Sequence, residues 1–191
     1  MRAVFSIVAL SVALPAHLAA QQLCGAEQPK TRLEAFLAQD SVVIIRGFSR
    51  IGEVAGHRGT SVVIESRELT DAGTQRRAYG IAVEVREGGD SVRTRTALVD
   101  FEEIPSLLSA LDYIGKLEKT ATALDQFQVR YRTKGDLVVA TFSTDAGPRA
   151  TIASGVVDQV EAHMGLTDLD HVRELIQEAY ASLTKLRANP E

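Results

Sequence analysis

Tyr79-Gly80-Ile81-Ala82-Val83-Glu84-Val85-Arg86-Glu87-Gly88-Gly89-Asp90 is the stretch that decides the fold. Tyr79, Ile81, Val83 and Val85 alternate with Gly80, Ala82, Glu84 and Arg86, the period of a strand with one face buried. Gly88-Gly89-Asp90 reads as a tight turn, and Val92 to Phe101 as the returning strand. Arg93 and Arg95 lie on one side of that strand; Val92, Thr94, Thr96 and Leu98 lie on the other. The period then lengthens. Ile104, Leu107, Leu108, Leu111, Ile114 and Leu117 recur at helical spacing. Asp100 and Glu103 stand where they can cap this helix, and Pro105 falls in its first turn, where a missing N–H does no harm. Consecutive strands that end in an amphipathic helix indicate an antiparallel sheet covered by helices, the α+β class.

Reading outward extends the pattern. Upstream, Thr31-Arg32-Leu33-Glu34 matches a capping box opening a short helix over 32–39. A β-rich segment runs from Val42 to Val54 with a kink near Gly47 or Gly52, and Ser61 to Leu69 is the next strand. Downstream, Phe127, Val129, Tyr131 and Thr133 alternate with polar residues, Leu137 to Phe142 follows the Lys134-Gly135-Asp136 turn, and Ala150 to Val157 follows Asp145-Ala146-Gly147-Pro148. A last helix begins near Thr167, with Thr167 and Asp170 as a second capping box. Val172, Leu175, Ile176, Ala179, Tyr180, Leu183 and Leu186 form its stripe. The expected order is ββββα-βββα, with two long amphipathic helices packed on one face of antiparallel sheets and a short N-terminal helix.

The ends define the compartment. Arg2, the uncharged run Ala3 to Leu14, and Ala16-His17-Leu18-Ala19-Ala20 have the three parts of a cleavable secretory signal, assigned to residues 1–20. That run is shorter than the roughly 20 apolar residues a membrane span needs. Residues 21–30 read as a flexible tether and 31–188 as a single globular domain. No span is expected after signal cleavage, so the protein is expected in the periplasm or outside the cell. Cys24 is the only cysteine, which excludes an internal disulfide. Its preceding Leu23 does not suit lipoprotein processing, which prefers a small residue there. The chain of 191 residues carries a net charge of −4, and losing Arg2 with the leader makes the remainder more acidic. That balance argues against a dedicated nucleic-acid binder.

Asp112-Tyr113-Ile114, Leu124-Asp125-Gln126-Phe127 and Tyr131-Arg132-Thr133-Lys134-Gly135-Asp136-Leu137 resemble a family of uncharacterised exported bacterial proteins. That resemblance implies export and no particular activity. The element order is also similar to the PUR and Whirly single-stranded nucleic-acid-binding folds, and to saddle-like and half-barrel folds that carry lipids in the bacterial envelope. Fold order alone does not establish function.

Five arginines are the candidate ligand-binding set, an anion face on outward strand positions: Arg86, Arg93, Arg95, Arg130 and Arg132, with Lys134 nearby. Guanidinium groups fork onto phosphate or carboxylate. The plainer expectation is a solvated face on which Glu65 and Glu84 pair with these arginines, each pair worth ~0.2–1 kcal/mol. His57, His163 and His171 match no metal spacing, and no Gly-x-Ser-x-Gly elbow or phosphate loop is present. No catalytic residue, metal or cofactor is expected. The sequence therefore reads as an exported non-catalytic binding or structural module. The first alternative is a carrier or binder of an amphipathic or anionic small ligand between sheet and helices. The second is a nucleic-acid-type binder on the Arg-rich face. A small ligand or a protein is the expected partner, and a homodimer is compatible with the exposed sheet edges.

Overall fold

The computed structural model describes residues 28–89 and 92–189. The proposed leader, most of the tether and Cys24 lie outside these residues. Two four-stranded antiparallel sheets contain the strands in chain order. The first comprises β1 (Ile44–Ala55), β2 (Ser61–Asp71), β3 (Arg77–Glu87) and β4 (Arg93–Asp100), and leads into helix α2 (Ile104–Gly115); the short helix α1 (Arg32–Leu37) precedes it. The second comprises β5 (Gln128–Arg132), β6 (Leu137–Phe142), β7 (Arg149–Ser154) and β8 (Val160–Met164), and leads into α3 (Leu166–Ala188). The same ββββα order thus occurs twice.

The fold class is as the periodicities predict, with one strand added. The expected strand Ala150 to Val157 is divided. Gly155 (φ 100°) and Asp158 (φ 51°) turn the chain, Val156 and Val157 stand exposed in that turn, and Val160, Ala162 and Met164 form the inner side of β8. Three alternating apolar residues are too short a pattern to separate from the apolar run before them. The expected kink in β1 is a register shift between Arg50 and Gly52.

One aliphatic core joins both halves. Val62 and Ile64, Ile81, Val83 and Val85, and Ala97 and Val99 supply the inner face of the first sheet; Leu137, Val139, Ile152, Ala162 and Met164 supply that of the second. Helix α3 lies along β1, β2 and β3, α2 packs beside α3 and on β5 and β6, and β3 meets β8. The predicted stripe of α2 is wholly buried, and that of α3 is buried at Val172, Ile176, Ala179 and Leu183. At the end of α3, Arg187 stacks on Phe101 at 4.1 Å from the ring centroid. Helix α1 covers part of the opposite face of the first sheet, where Leu33 and Phe36 pack on Leu69 of β2.

Capping follows the sequence at one helix and departs at two. Thr31 Oγ1 accepts from the Glu34 N–H at 3.0 Å, and Glu34 accepts in return from the Thr31 N–H at 3.0 Å. Asp100 does not cap α2; its carboxylate turns back onto α1. Helix α3 starts one residue before Thr167, so Asp168 instead of Asp170 accepts from the Gly165 N–H, at 3.0 Å. Glycine has no side chain to complete a box. No helix among the described residues is long and apolar enough to cross a membrane.

Turns of each half clasp the other. A Cβ on Gly135, in the β5–β6 turn, would lie 2.0 Å from the Leu98 carbonyl oxygen of β4. A Cβ on Gly56, after β1, would lie 2.5 Å from the His163 carbonyl oxygen of β8. Only glycine permits either approach.

Candidate functional site

The five predicted arginines do not share a face. Cα partners in an antiparallel ladder point to the same side. Arg95 pairs with Val85 and Arg93 with Glu87, so both lie on the side of Ala97 and Val99, beyond the apolar part of that face. The second half of β4 decides which side is buried, and its first half runs past the core. Arg86 pairs with Thr94 and points to the opposite side. Arg130 and Arg132 belong to the second sheet and point away from the core, because Val129 and Tyr131 pack into it.

Most of these groups are also compensated locally. Arg86 meets Glu84 at 2.6 Å and Glu53 at 3.8 Å, Arg93 pairs with Glu87, and Arg132 meets Asp136 at 3.1 Å. Glu65 pairs with Arg67. The Ser61 side chain, followed by Arg50 and Arg86, holds the Glu53 carboxyl below its ordinary range against the smaller cost of desolvation. The outer face of the first sheet is thus an ion-pair lattice. The layer between sheets and helices is occupied by side chains such as Ile81, Val83, Leu107, Leu111 and Ile176, all 0–1% exposed.

A different group of residues converges where the halves meet. The chain after β1 makes a short 3-10 turn, His57–Gly59, in which Arg58 (φ 55°) and Gly59 (φ 73°) are left-handed. Thr60 fastens this turn. Its backbone N–H and its hydroxyl both donate to the His57 carbonyl, at 3.2 and 2.8 Å, and its carbonyl accepts from the Gly56 N–H at 2.8 Å. From β7, Arg149 donates to His57 Nε2 at 2.9 Å, across 92 residues of sequence. An arginine has only donors to offer, so Nε2 is the acceptor and the imidazole proton sits on Nδ1. On β8, His163 Nδ1 lies 3.2 Å from Thr151 Oγ1, and Nε2 lies 3.9 Å from Glu161.

These elements enclose an open cleft of about 450 Å³ lined by His57, Arg58, Phe142, Arg149, Ala150, His163 and Met164. Among the described residues, neither Arg58 nor Arg149 has a carboxylate partner. Phe142 and Arg149 are Cα partners on β6 and β7, which puts their side chains on the same side of the sheet. A second, larger cleft of about 600 Å³ lies around Arg32, Glu103 and Lys134; there Arg32 meets Glu102 at 3.2 Å, and Glu103 accepts from the Lys134 backbone N–H at 2.9 Å. Among the described residues no group of three metal-ligating side chains comes together.

Spacing along the chain does not connect His57 with Arg149, His163 or Phe142. The available signal was Gly56-His57-Arg58-Gly59, a turn with two cationic-type side chains between glycines. Comparison with known proteins returns no matching family model, curated protein or solved structure. The chemistry of the cleft therefore carries the functional argument.

Proposed function

We propose that this chain is an exported, non-catalytic binding module of the cell envelope, and that its ligand presents an anionic group to Arg58 and Arg149. The observation that carries this reading is the pair of guanidinium groups without carboxylate partners around one cleft, in a protein whose other strand arginines are mostly ion-paired. Arginine presents a planar fork of donors, and an anion completes it. The lining combines two arginines and two histidines with apolar groups and contains no serine, cysteine or carboxylate nucleophile. It is suited to holding a molecule more than to transforming one. Export rests on the leader-like residues 1–20.

The test is a titration of residues 21–191 with inorganic phosphate, followed by amide NMR. Saturable shifts at residues 57–60 and 149–151, abolished by Arg149→Met, are expected. Shifts absent from these residues, or unchanged in the variant, would remove the anion reading. Native mass spectra of protein purified from the envelope would then reveal what it retains.

A further inference from the structure

We propose that the cleft takes an amphipathic anion, a carboxylate or phosphate monoester on a short apolar body, with its head between Arg58 and Arg149 and its body against Phe142. This rests on the anion-binding reading above and adds what the rest of the ligand must be.

The cleft has two chemically distinct sides. The Arg58 and Arg149 guanidinium groups form the cationic side, one from each half of the chain. The Phe142 ring forms the apolar side, while Ala150 and Met164 turn into the core behind it. Phe142 is half-buried and lies on the solvent side of β6, the same side as Arg149. A hydrated inorganic ion would leave that ring in water and gain nothing from it. An apolar body laid on it removes apolar surface from water at about 25 cal/mol per Å². The cleft volume of about 450 Å³ also suits a small organic molecule better than a single oxyanion. Ligand sites are generally apolar in lining, with a few polar groups that fix orientation.

The flanking groups refine the head. His57 uses its Nε2 lone pair on Arg149 and so steadies that guanidinium without competing for it, leaving Nδ1–H as a further donor. Glu161 stands 3.9 Å from His163 Nε2 and is the carboxylate on the neighbouring rim. Its charge opposes a dianion more than a monoanion, which favours a carboxylate or a singly charged phosphate ester. Because the two arginines come from different halves, the ligand bridges them and should raise the melting temperature of the whole chain.

Calorimetric titration of residues 21–191 with octyl phosphate below its micelle concentration, with inorganic phosphate and with octanol tests this. Octyl phosphate should bind at least about tenfold tighter than inorganic phosphate, since burying on the order of 60 Å² of apolar surface suffices for that. Arg149→Met should weaken both anions. Phe142→Thr should remove the advantage of octyl phosphate and leave inorganic phosphate unchanged. Nuclear Overhauser contacts from the octyl chain to the Phe142 ring provide a readout in the unmodified protein. Equal affinity for octyl and inorganic phosphate would overturn the amphipathic ligand and keep the anion site. Octanol binding as tightly as octyl phosphate, or no binding by any probe, would overturn both. Octyl phosphate binding that ignores both substitutions would place it elsewhere and overturn the proposal.

Discussion

The Asp100 carboxylate at the end of β4 accepts hydrogen bonds from the Leu33 N–H at 3.1 Å and from the Arg32 N–H at 2.8 Å. The first turn of an α-helix has backbone donors without intrahelical partners, and an anion placed there satisfies them and favours the helix dipole. A six-residue helix has little stability of its own, so this contact and the Leu33–Phe36–Leu69 cluster hold α1 on the sheet. Asp100→Ala should lower unfolding free energy by about 1–3 kcal/mol, because it leaves part-buried donors unmatched. Asp100→Asn should cost less, since an amide oxygen can still accept. Urea unfolding of the three proteins measures this; identical midpoints would show that α1 is held by packing alone.

The approach of Gly135 to Leu98 gives a steric prediction. A methyl group there would sit 2.0 Å from a backbone oxygen, which no rotamer change can relieve. Gly135→Ala should therefore destabilise by about 3 kcal/mol, in the range of severe overpacking. Gly73 is a suitable control, since its nearest neighbour would be 3.5 Å away and its turn is exposed. Gly73→Ala should stay within about 0.5 kcal/mol of the parent. Equal melting temperatures for the two variants would mean that the β5–β6 turn can move off β4.

Acid should act partly through Asp71. The Thr74 hydroxyl, then the Thr74 and Gly73 N–H groups and Arg76, lower its carboxyl from an ordinary value of 3.8 to about 2, outweighing an opposing desolvation. The folded carboxyl thus ionises at lower pH than the unfolded one. Its stabilising contribution is present above the ordinary value and is lost as pH falls toward about 2. Thr74→Val removes the 2.6 Å hydroxyl donor and should shift the acid unfolding midpoint to higher pH. Asp71→Asn should flatten that part of the profile. Thermal melts from pH 7 to pH 2 that superimpose for all three proteins would refute the assignment.

The strands and helices were legible because each writes a local period. The alternation at Tyr79–Val85 and the helical spacing of Ile104–Ile114 give element type and buried side at once. Position in space was less legible. Arg86 and Arg95 read as outward from the spacing of their own strands, yet the register of β3 and β4 puts them on opposite sides. The partner of Asp100 could not be inferred locally either, because it lies 67 residues away in α1. The cleft depends on how the His57 turn docks on β8, a relation between halves that neither half encodes alone. Only the glycines on both sides of His57-Arg58 marked that turn as unusual.

Export makes the last prediction, and it depends on residues 1–20 alone. Arg2 supplies the positive start, Ala3 to Leu14 the apolar run and Ala16 to Ala20 the small-residue segment. Expression of the full chain in a bacterium with an outer membrane should give a product in the periplasm or medium. Its mass should match a start at Gln21. Val8→Arg would put a charge in the middle of the apolar run and should leave the precursor uncleaved in the cytosol, because that run drives insertion. A wild-type product that keeps Met1 and stays in the cytosol would end the envelope reading. A product starting at a lipid-modified Cys24 would keep the envelope and replace a soluble protein with an anchored one. In that case the tether from Cys24 to Lys30 would set how far the His57–Arg149 cleft stands from the membrane, at most about 3.5 Å per residue.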